Sequence, residues 1–147
     1  MIRHMIMKPR MTLDEMLARS NAGARRKAPS DEEHRIQQTC VRWFNLKYPH
    51  LRGRLFAVPN GGRRDAVTGA KLKAEGVVPG VSDLILLKSN HRYGALLIEM
   101  KTTKGRQSAS QRWWQSVISE NDEYKYVVCR SLDDFMREVM DFLNDSE

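Results

Sequence analysis

Apolar and polar positions along the chain follow two periods, one typical of helices and the other of strands. Between residues 31 and 48, apolar side chains recur at three- and four-residue spacing, which places them on one face of a helix. This inward stripe consists of Ile36, Cys40, Val41, Trp43 and Phe44. Continuous apolar runs within 82–88, 95–101 and 124–129 are typical of buried strands. The pattern therefore predicts an α/β domain.

The predicted elements follow one another with short connections, as expected for a compact domain. In order they are a helix (32–47), a strand (54–58), a short helix (65–75), strands at 82–88 and 95–101, a helix (109–120), a strand (124–129) and a helix (132–143). The last strand, with Tyr124 and Tyr126, and the last helix are expected to be mainly structural. A chain of 147 residues is long enough for one continuous core.

Residues 1–29 differ from the rest by a net charge of +5 and predict a basic arm or linker ahead of a main domain at 30–147. A short helix at 12–19 is expected within this segment. Thr12 can cap its start, and Leu13, Met16 and Leu17 share one face. That face could dock on the main domain or on a second subunit.

Charged residues interrupt the two apolar runs in the middle of the chain. The polar segment 89–94 predicts a hairpin between these strands, and a turn centred near His91 places Asp83 opposite Glu99. Lys101 shares a strand face with Glu99, because side chains alternate. Two neighbouring carboxylates repel each other unless a cation lies between them, and oxygen ligands suit Mg²⁺ or Mn²⁺. The alternative for an isolated E-x-K sequence is a salt bridge at a sheet edge.

Two further polar residues fall where helices should meet this hairpin. Glu33 lies on the inward stripe of the first helix at about 100° per residue, and Gln37 follows one turn later. Gln111 lies near the start of the 109–120 helix, which Ser108 or Ser110 can cap. Alternatively, Glu33 is an acid stabilised by the helix dipole, and Gln111 is a solvent-facing amide.

Net charge favours a nucleic-acid partner. Lysine and arginine number 25 against 18 acids, and residues 1–80 hold 16 of the bases and 7 of the acids. The contact candidates surround a Gly-rich turn whose backbone N–H groups could approach a phosphate. They are Arg52, Arg54, Asn60, Gly61, Gly62, Arg63, Arg64, Lys71 and Lys73. The alternative is an ordinary turn with a solvated basic surface.

Several classes of protein are not indicated. No apolar run reaches the 18 or so residues that span a bilayer, and residues 1–7 lack the apolar region of a signal peptide. Cys40 and Cys129 are expected to be reduced core residues, which fits a cytosolic environment. No C-x-x-C or H-E-x-x-H spacing indicates a structural zinc site.

Taken together, these motifs resemble the VRR-NUC (virus-type replication-repair nuclease) family of the PD-(D/E)XK nuclease superfamily. The resemblance covers roughly residues 31 to 130 and lies in linked motifs rather than in one. These motifs are Glu33 and Gln37, residues 58–63, 69–73 and 76–83, Ile98-Glu99-Met100-Lys101, and Gln111. Ser82 departs from the family pattern, which often has proline before the acid. Since that proline supplies no ligand, the departure does not argue against activity.

The resemblance implies a restriction-endonuclease-like core with a central mixed four-stranded sheet flanked by helices. It further implies a DNA endonuclease that uses Mg²⁺ or Mn²⁺. Glu33, Asp83, Glu99 and the backbone carbonyl of Met100 are the implied metal ligands. Lys101 would assist the attacking water and Gln111 would position the site.

The implied substrate is branched DNA, including four-way (Holliday) junctions, which a homodimer could cut on paired strands in a bacterial or phage-infected cell. Three alternatives remain open at this point. The chain could be a nicking or flap nuclease of repair or replication, a nucleic-acid-binding module without catalysis, or a peptide-binding domain in which the charges form salt bridges.

Overall fold

The computed structural model describes residues 31–59 and 66–144, together with Thr12 and Glu15. Its elements are α1 (Asp31–Lys47), a 3-10 turn (Pro49–Leu51), β1 (Leu55–Ala57), α2 (Ala66–Ala74), β2 (Leu84–Leu86), β3 (Leu96–Met100), α3 (Ala109–Ile118), β4 (Lys125–Cys129) and α4 (Leu132–Asn144). Every predicted core element is present. The largest difference is β2, which is shorter than the predicted 82–88 strand.

Beyond each end of β2, one backbone hydrogen bond continues the pairing with the β1 segment. The Val58 N–H donates to the Asp83 carbonyl at 2.9 Å, and the Leu87 N–H donates to the Arg54 carbonyl at 2.9 Å. Two residues before β2, the buried Ser82 hydroxyl donates to the Leu84 carbonyl at 3.2 Å. Serine at this position therefore satisfies its own hydroxyl locally, and the chain enters β2 without the proline often found in the family.

The four strands form one mixed sheet in the order β1-β2-β3-β4. The pairs β1–β2 and β2–β3 are antiparallel, and the pair β3–β4 is parallel. A parallel pair needs a long crossover, which α3 supplies. The predicted α/β class and mixed four-stranded sheet are confirmed.

The register of the central hairpin agrees with the predicted one. Leu84 pairs with Ile98, and Leu86 pairs with Leu96. The turn is fixed by Asn90, whose side-chain oxygen accepts hydrogen bonds from the backbone N–H groups of Arg92 (3.0 Å) and Tyr93 (2.7 Å). One step beyond the Leu84 pair, the same register brings Asp83 beside Glu99.

Helices α1 and α4 pack together and cover one face of the sheet. The core includes Cys40 and Phe44 from α1, and Phe135, Val139 and Phe142 from α4. Both cysteines are buried and free, as predicted. Burial raises the pKa of each thiol to about 12, so both remain protonated at neutral pH.

Within the predicted N-terminal arm, the structure describes a reciprocal pair of hydrogen bonds. The Thr12 N–H donates to a Glu15 carboxylate oxygen (2.9 Å), and the Glu15 N–H donates to the Thr12 hydroxyl (3.2 Å). This is the capping-box pattern expected of a helix that starts at Thr12. Leu13, Met16 and Leu17 lie outside the described residues, and the division into 1–29 and 30–147 stays a prediction.

Among the residues that the structure describes, no helix has the length and apolar composition to cross a membrane.

The packing of α1 against α4 predicts a large loss of stability on truncation of Phe135. Its ring is fully buried and packs edge-on against Trp43, with ring centroids 6.0 Å apart. We expect Phe135→Ala to lower the free energy of unfolding by about 3–5 kcal/mol in urea denaturation. As a control, Leu46→Ala removes a side chain that is 78% exposed and should change it by less than about 0.5 kcal/mol. Equal effects of the two substitutions would contradict this account of the core.

Candidate active site

Glu99 is a fully buried carboxyl group near the end of β3, an inner strand of the sheet. One of its oxygens, Oε1, accepts a hydrogen bond from the Gln111 side-chain amide at 2.6 Å. The other, Oε2, accepts a hydrogen bond from the Tyr126 hydroxyl at 3.4 Å. The Lys101 ammonium lies 3.8 Å from Oε1 and is itself largely buried. Side chains from β3, β4 and the start of α3 therefore converge on one carboxylate.

Asp83 joins this group from the neighbouring strand. Its Oδ2 accepts a hydrogen bond from the Met100 backbone N–H at 2.7 Å, which fixes it across the end of the hairpin. The hairpin register, continued one residue beyond the Leu84–Ile98 pair, places Asp83 opposite Glu99. Burial first, and then the nearby charge of Asp83, raise the pKa of Glu99 to about 9, while Lys101 acts in the opposite direction.

Glu33 approaches the same site from the first turn of α1. It is half-buried, whereas the adjacent His34 is exposed, as helical phase predicts. Burial is the main reason that the pKa of Glu33 is raised; Lys101 lowers this pKa, and the charge of Asp83 raises it further. Glu33 also contributes to the raised pKa of Glu99. The structure thus brings Glu33, Asp83 and Glu99 into one electrostatic group around Lys101.

Gln111 is held at both ends of its side-chain amide. Ser108 caps α3, because its hydroxyl accepts a hydrogen bond from the Gln111 N–H at 3.2 Å. The Gln111 side-chain oxygen accepts one from the Ser108 N–H at 2.8 Å, which completes a capping box. The amide nitrogen remains free to donate to Glu99. Gln111 is therefore a helix cap and a partner of the acid at once, and not a solvent-facing amide.

Gly80 explains why the loop before Asp83 can pack against α3. Its φ is +85°, and a Cβ at this position would overlap the backbone of Ser110 and Gln111. The close contact of this loop with the start of α3 brings the segment leading to Asp83 next to the helix that carries Gln111. The glycine lies in a motif used for the family resemblance, but its contact with α3 could not be read from the sequence.

Sequence reasoning treated Tyr126 as a structural residue and did not single out Gln107. The Gln107 amide nitrogen donates to the Tyr126 hydroxyl (3.2 Å) and to the Gln115 side-chain oxygen (2.9 Å). Burial first, and then Glu99, raise the pKa of Tyr126, which keeps the phenol protonated. The parallel register pairs Tyr126 with Leu97, on the face that also holds Glu99. Once β3 and β4 are known to pair in this way, side-chain alternation identifies Tyr126 as a residue on the same sheet face as Glu99.

Four of the candidate DNA contacts lie on the surface of the domain. Lys71 and Lys73 are exposed in the last turn of α2, and Arg52 and Arg54 are exposed beside β1. Asn60, Gly61, Gly62, Arg63 and Arg64 lie outside the described residues. Gln37, the other polar residue of the first helix, lines a surface groove along α1.

The acidic group is chemically suited to a hard divalent cation, although it is not a preassembled cage. In the part of the chain that the structure describes, no three His, Cys, Asp or Glu side chains are grouped as a metal-binding cluster. The oxygens of Glu99 instead face Gln111 and Tyr126, and an oxygen of Asp83 faces Met100. The charges of Asp83 and Glu33 nevertheless contribute to the raised pKa of Glu99, and oxygen donors of this kind suit Mg²⁺ or Mn²⁺.

These features define an α/β domain with an acidic site on paired strands, of the form D-(x)n-E-x-K. The VRR-NUC domain model matches residues 31–133, which is more than half of the chain. The chain therefore belongs to the VRR-NUC family. Membership of this family implies a nuclease-type function with DNA as the partner.

A solved structure described as a VRR_NUC domain protein is similar to this one, with a TM-score of 0.67. The two sequences are 20% identical, and the match covers 80% of this chain and 93% of the other. At this identity, the likeness supports the fold alone. No curated protein matches the chain in sequence.

The position of Gly80 predicts that Gly80→Ala disturbs the site more than a comparable glycine substitution. Gly76 also has a positive φ, of +100°, but nothing lies near the Cβ it would gain. Gly76→Ala should therefore lower the free energy of unfolding by about 1–2 kcal/mol through backbone strain alone. Gly80→Ala should lower it further and speed hydrogen exchange at the Gln111 amide, because the start of α3 must move. Equal exchange rates in the two variants would show that the contact with α3 is unimportant.

Proposed function

We propose that the chain is a DNA endonuclease that depends on Mg²⁺ or Mn²⁺. The observation that carries the proposal is the convergence of Glu33, Asp83 and Glu99 on Lys101 at one end of the sheet. Burial first, and then the negative charge of neighbouring acids, raise the pKa of Glu33 and of Glu99, as expected where a cation completes the charge balance. A structural salt bridge alone would need only one of these carboxylates beside Lys101.

Asp83 and Glu99 are the proposed main ligands, with the Met100 backbone carbonyl and Glu33 completing the set. A divalent ion bound there would neutralise phosphate charge and lower the pKa of a bound water. The protein's own part is to hold the ligands in place. The Met100 N–H fixes Asp83, and the capped Gln111 fixes one oxygen of Glu99.

Lys101 is the proposed catalytic cation of the chain itself. Its ammonium lies 3.8 Å from Glu99, and Lys101 directly follows the last residue of β3. From this position it can donate hydrogen bonds to the attacking water and offset the negative charge that develops on the phosphate. Removal of Lys101 should therefore lower the rate of cleavage more than the affinity for DNA.

Branched DNA, such as a four-way junction, is the proposed substrate, and a homodimer is the proposed form of the enzyme. The resemblance to stand-alone family members supports the substrate, and two-fold symmetry suits paired cuts. Lys71 and Lys73, together with residues 60–64, are the proposed contacts to the phosphate backbone. Buried, free cysteines support a cytosolic location.

The first prediction from this proposal concerns the site residues. Asp83→Ala, Glu99→Ala and Lys101→Ala should each lower Mn²⁺-dependent cleavage by at least about 100-fold, since the two acids would hold the metal and Lys101 would offset the charge that develops on the phosphate. Cleavage should be measured on linear, flap and four-way junction DNA, with the mass of the protein determined by light scattering.

The matched control for these variants is Asp141→Ala, which removes an exposed acid of α4 far along the chain from the site. It should cleave like the wild type, and circular dichroism should show that all variants are folded. Undiminished cleavage by any of the three site variants would overturn the mechanism. Preference for linear or flap DNA, or a monomeric mass, would overturn the proposed substrate or assembly while leaving the nuclease assignment intact.

The second prediction concerns the metal and needs no DNA. Mn²⁺ at about 100 times its Kd should stabilise the wild type by about 2.7 kcal/mol, which raises the Tm by roughly 5–10 °C. Glu99→Gln and Asp83→Asn should lose most of this rise, because a neutral amide is a poor ligand for a hard cation. Asp141→Asn should keep it. An equal rise in wild type and Glu99→Gln would exclude Glu99 as a ligand.

A further inference from the structure

The two oxygens of Glu99 are held by two different elements of the fold. Gln111, at the start of α3, donates to Oε1, and Tyr126, on β4, donates to Oε2. The Glu99 carboxylate rotates about its Cγ–Cδ bond, and a hydrogen bond to each oxygen restrains this rotation more tightly than one bond alone. Two bonds, one to each oxygen, define the plane of the group. A carboxylate offers about four acceptor positions in all, so the two bonds still leave room for a cation.

The hydroxyl of Tyr126 is itself directed towards Glu99. A phenol has one proton to donate, and its oxygen can also accept hydrogen bonds. Because the Gln107 amide nitrogen donates to this oxygen at 3.2 Å, the phenolic proton is available to Glu99. The Gln107 amide is held in turn by the Gln115 oxygen, at 2.9 Å. The Tyr126 ring packs near Trp114, with ring centroids 6.1 Å apart, so the ring stays in place without the hydroxyl.

We propose that Tyr126, oriented by Gln107, is a positioning residue that sets the plane of the Glu99 carboxylate for metal binding. The metal-binding part of this inference rests on the proposed function. The structural part, that the hydroxyl holds Glu99 in its present orientation, does not depend on it. Partners of this kind behind a metal ligand commonly change metal affinity by about 10- to 100-fold.

The test compares Tyr126→Phe with Tyr124→Phe. Both substitutions remove one phenolic hydroxyl, at positions two residues apart in the sequence. Tyr126 lies in β4 and donates to Glu99, whereas Tyr124 precedes the strand and is 39% exposed. In the metal-free protein, the NMR signals of the Gln111 side-chain amide should shift or broaden in Tyr126→Phe, because Glu99 becomes free to rotate. They should stay unchanged in Tyr124→Phe.

Metal binding and catalysis provide two further measurements. Tyr126→Phe should weaken Mn²⁺ binding about tenfold in calorimetry and lower kcat at subsaturating Mn²⁺, with little change in KM for DNA. Excess Mn²⁺ should restore most of the lost rate, which a loss of fold would not allow. Gln107→Met should give a smaller effect in the same direction. The double variant should be no worse than Tyr126→Phe, since Gln107 acts through the tyrosine.

The outcomes separate this inference from the proposed function. If the wild type binds Mn²⁺ and cleaves DNA but Tyr126→Phe matches it in all three measurements, the positioning role is wrong and the nuclease assignment stands. If the wild type neither binds Mn²⁺ nor cleaves DNA, the proposed function is wrong, and the Gln111 amide signals alone decide whether Tyr126 holds Glu99. If Tyr126→Phe is destabilised, Gln107→Met carries the comparison, because its side chain differs from glutamine only at the polar end.

Discussion

Glu99 places an ionisable carboxyl group on a central strand, fully shielded from solvent. Such a group is costly to bury unless hydrogen bonds and opposite charge compensate. The surrounding structure supplies both, through the Gln111 amide, the Tyr126 hydroxyl and the Lys101 ammonium. Asp83 and Glu33 act against this compensation, because they add negative charge to the same region. The negative charge of the three acids therefore exceeds what the protein's own groups compensate. This excess distinguishes the site from an ordinary buried ion pair.

The central hairpin could be predicted from the sequence because its determinants are local. A polar turn around Asn90 and two apolar runs fix which residues face each other, and the observed pairs follow that register. The position of Glu33 was also predictable, since helical phase depends only on spacing along α1. Capping chemistry predicted the start of α3 for the same reason, with Ser108 or Ser110 as the cap, and in the structure Ser108 and Gln111 are the reciprocal partners.

Contacts between distant segments could not be predicted in this way. Tyr126 meets Glu99 only because β3 and β4 pair in parallel with one particular register, and no residue near Tyr126 in the sequence specifies that pairing. Gly80 meets the start of α3 only after α3 has packed on the sheet. The motifs of the family resemblance include Gly80 but not Tyr126, and they supply neither contact. The chemical roles of the acids came from that resemblance rather than from periodicity.

Most of the site residues come from one stretch of the chain. Asp83, Glu99, Lys101 and Gln111 lie within one segment of the hairpin and the helix that follows it, whereas Glu33 comes from α1. Contacts between residues close in sequence carry a smaller loop-closure cost and form readily during folding. The acidic pair and its glutamine therefore depend on contacts of short range along the chain, whereas the third acid depends on the packing of α1 against the sheet.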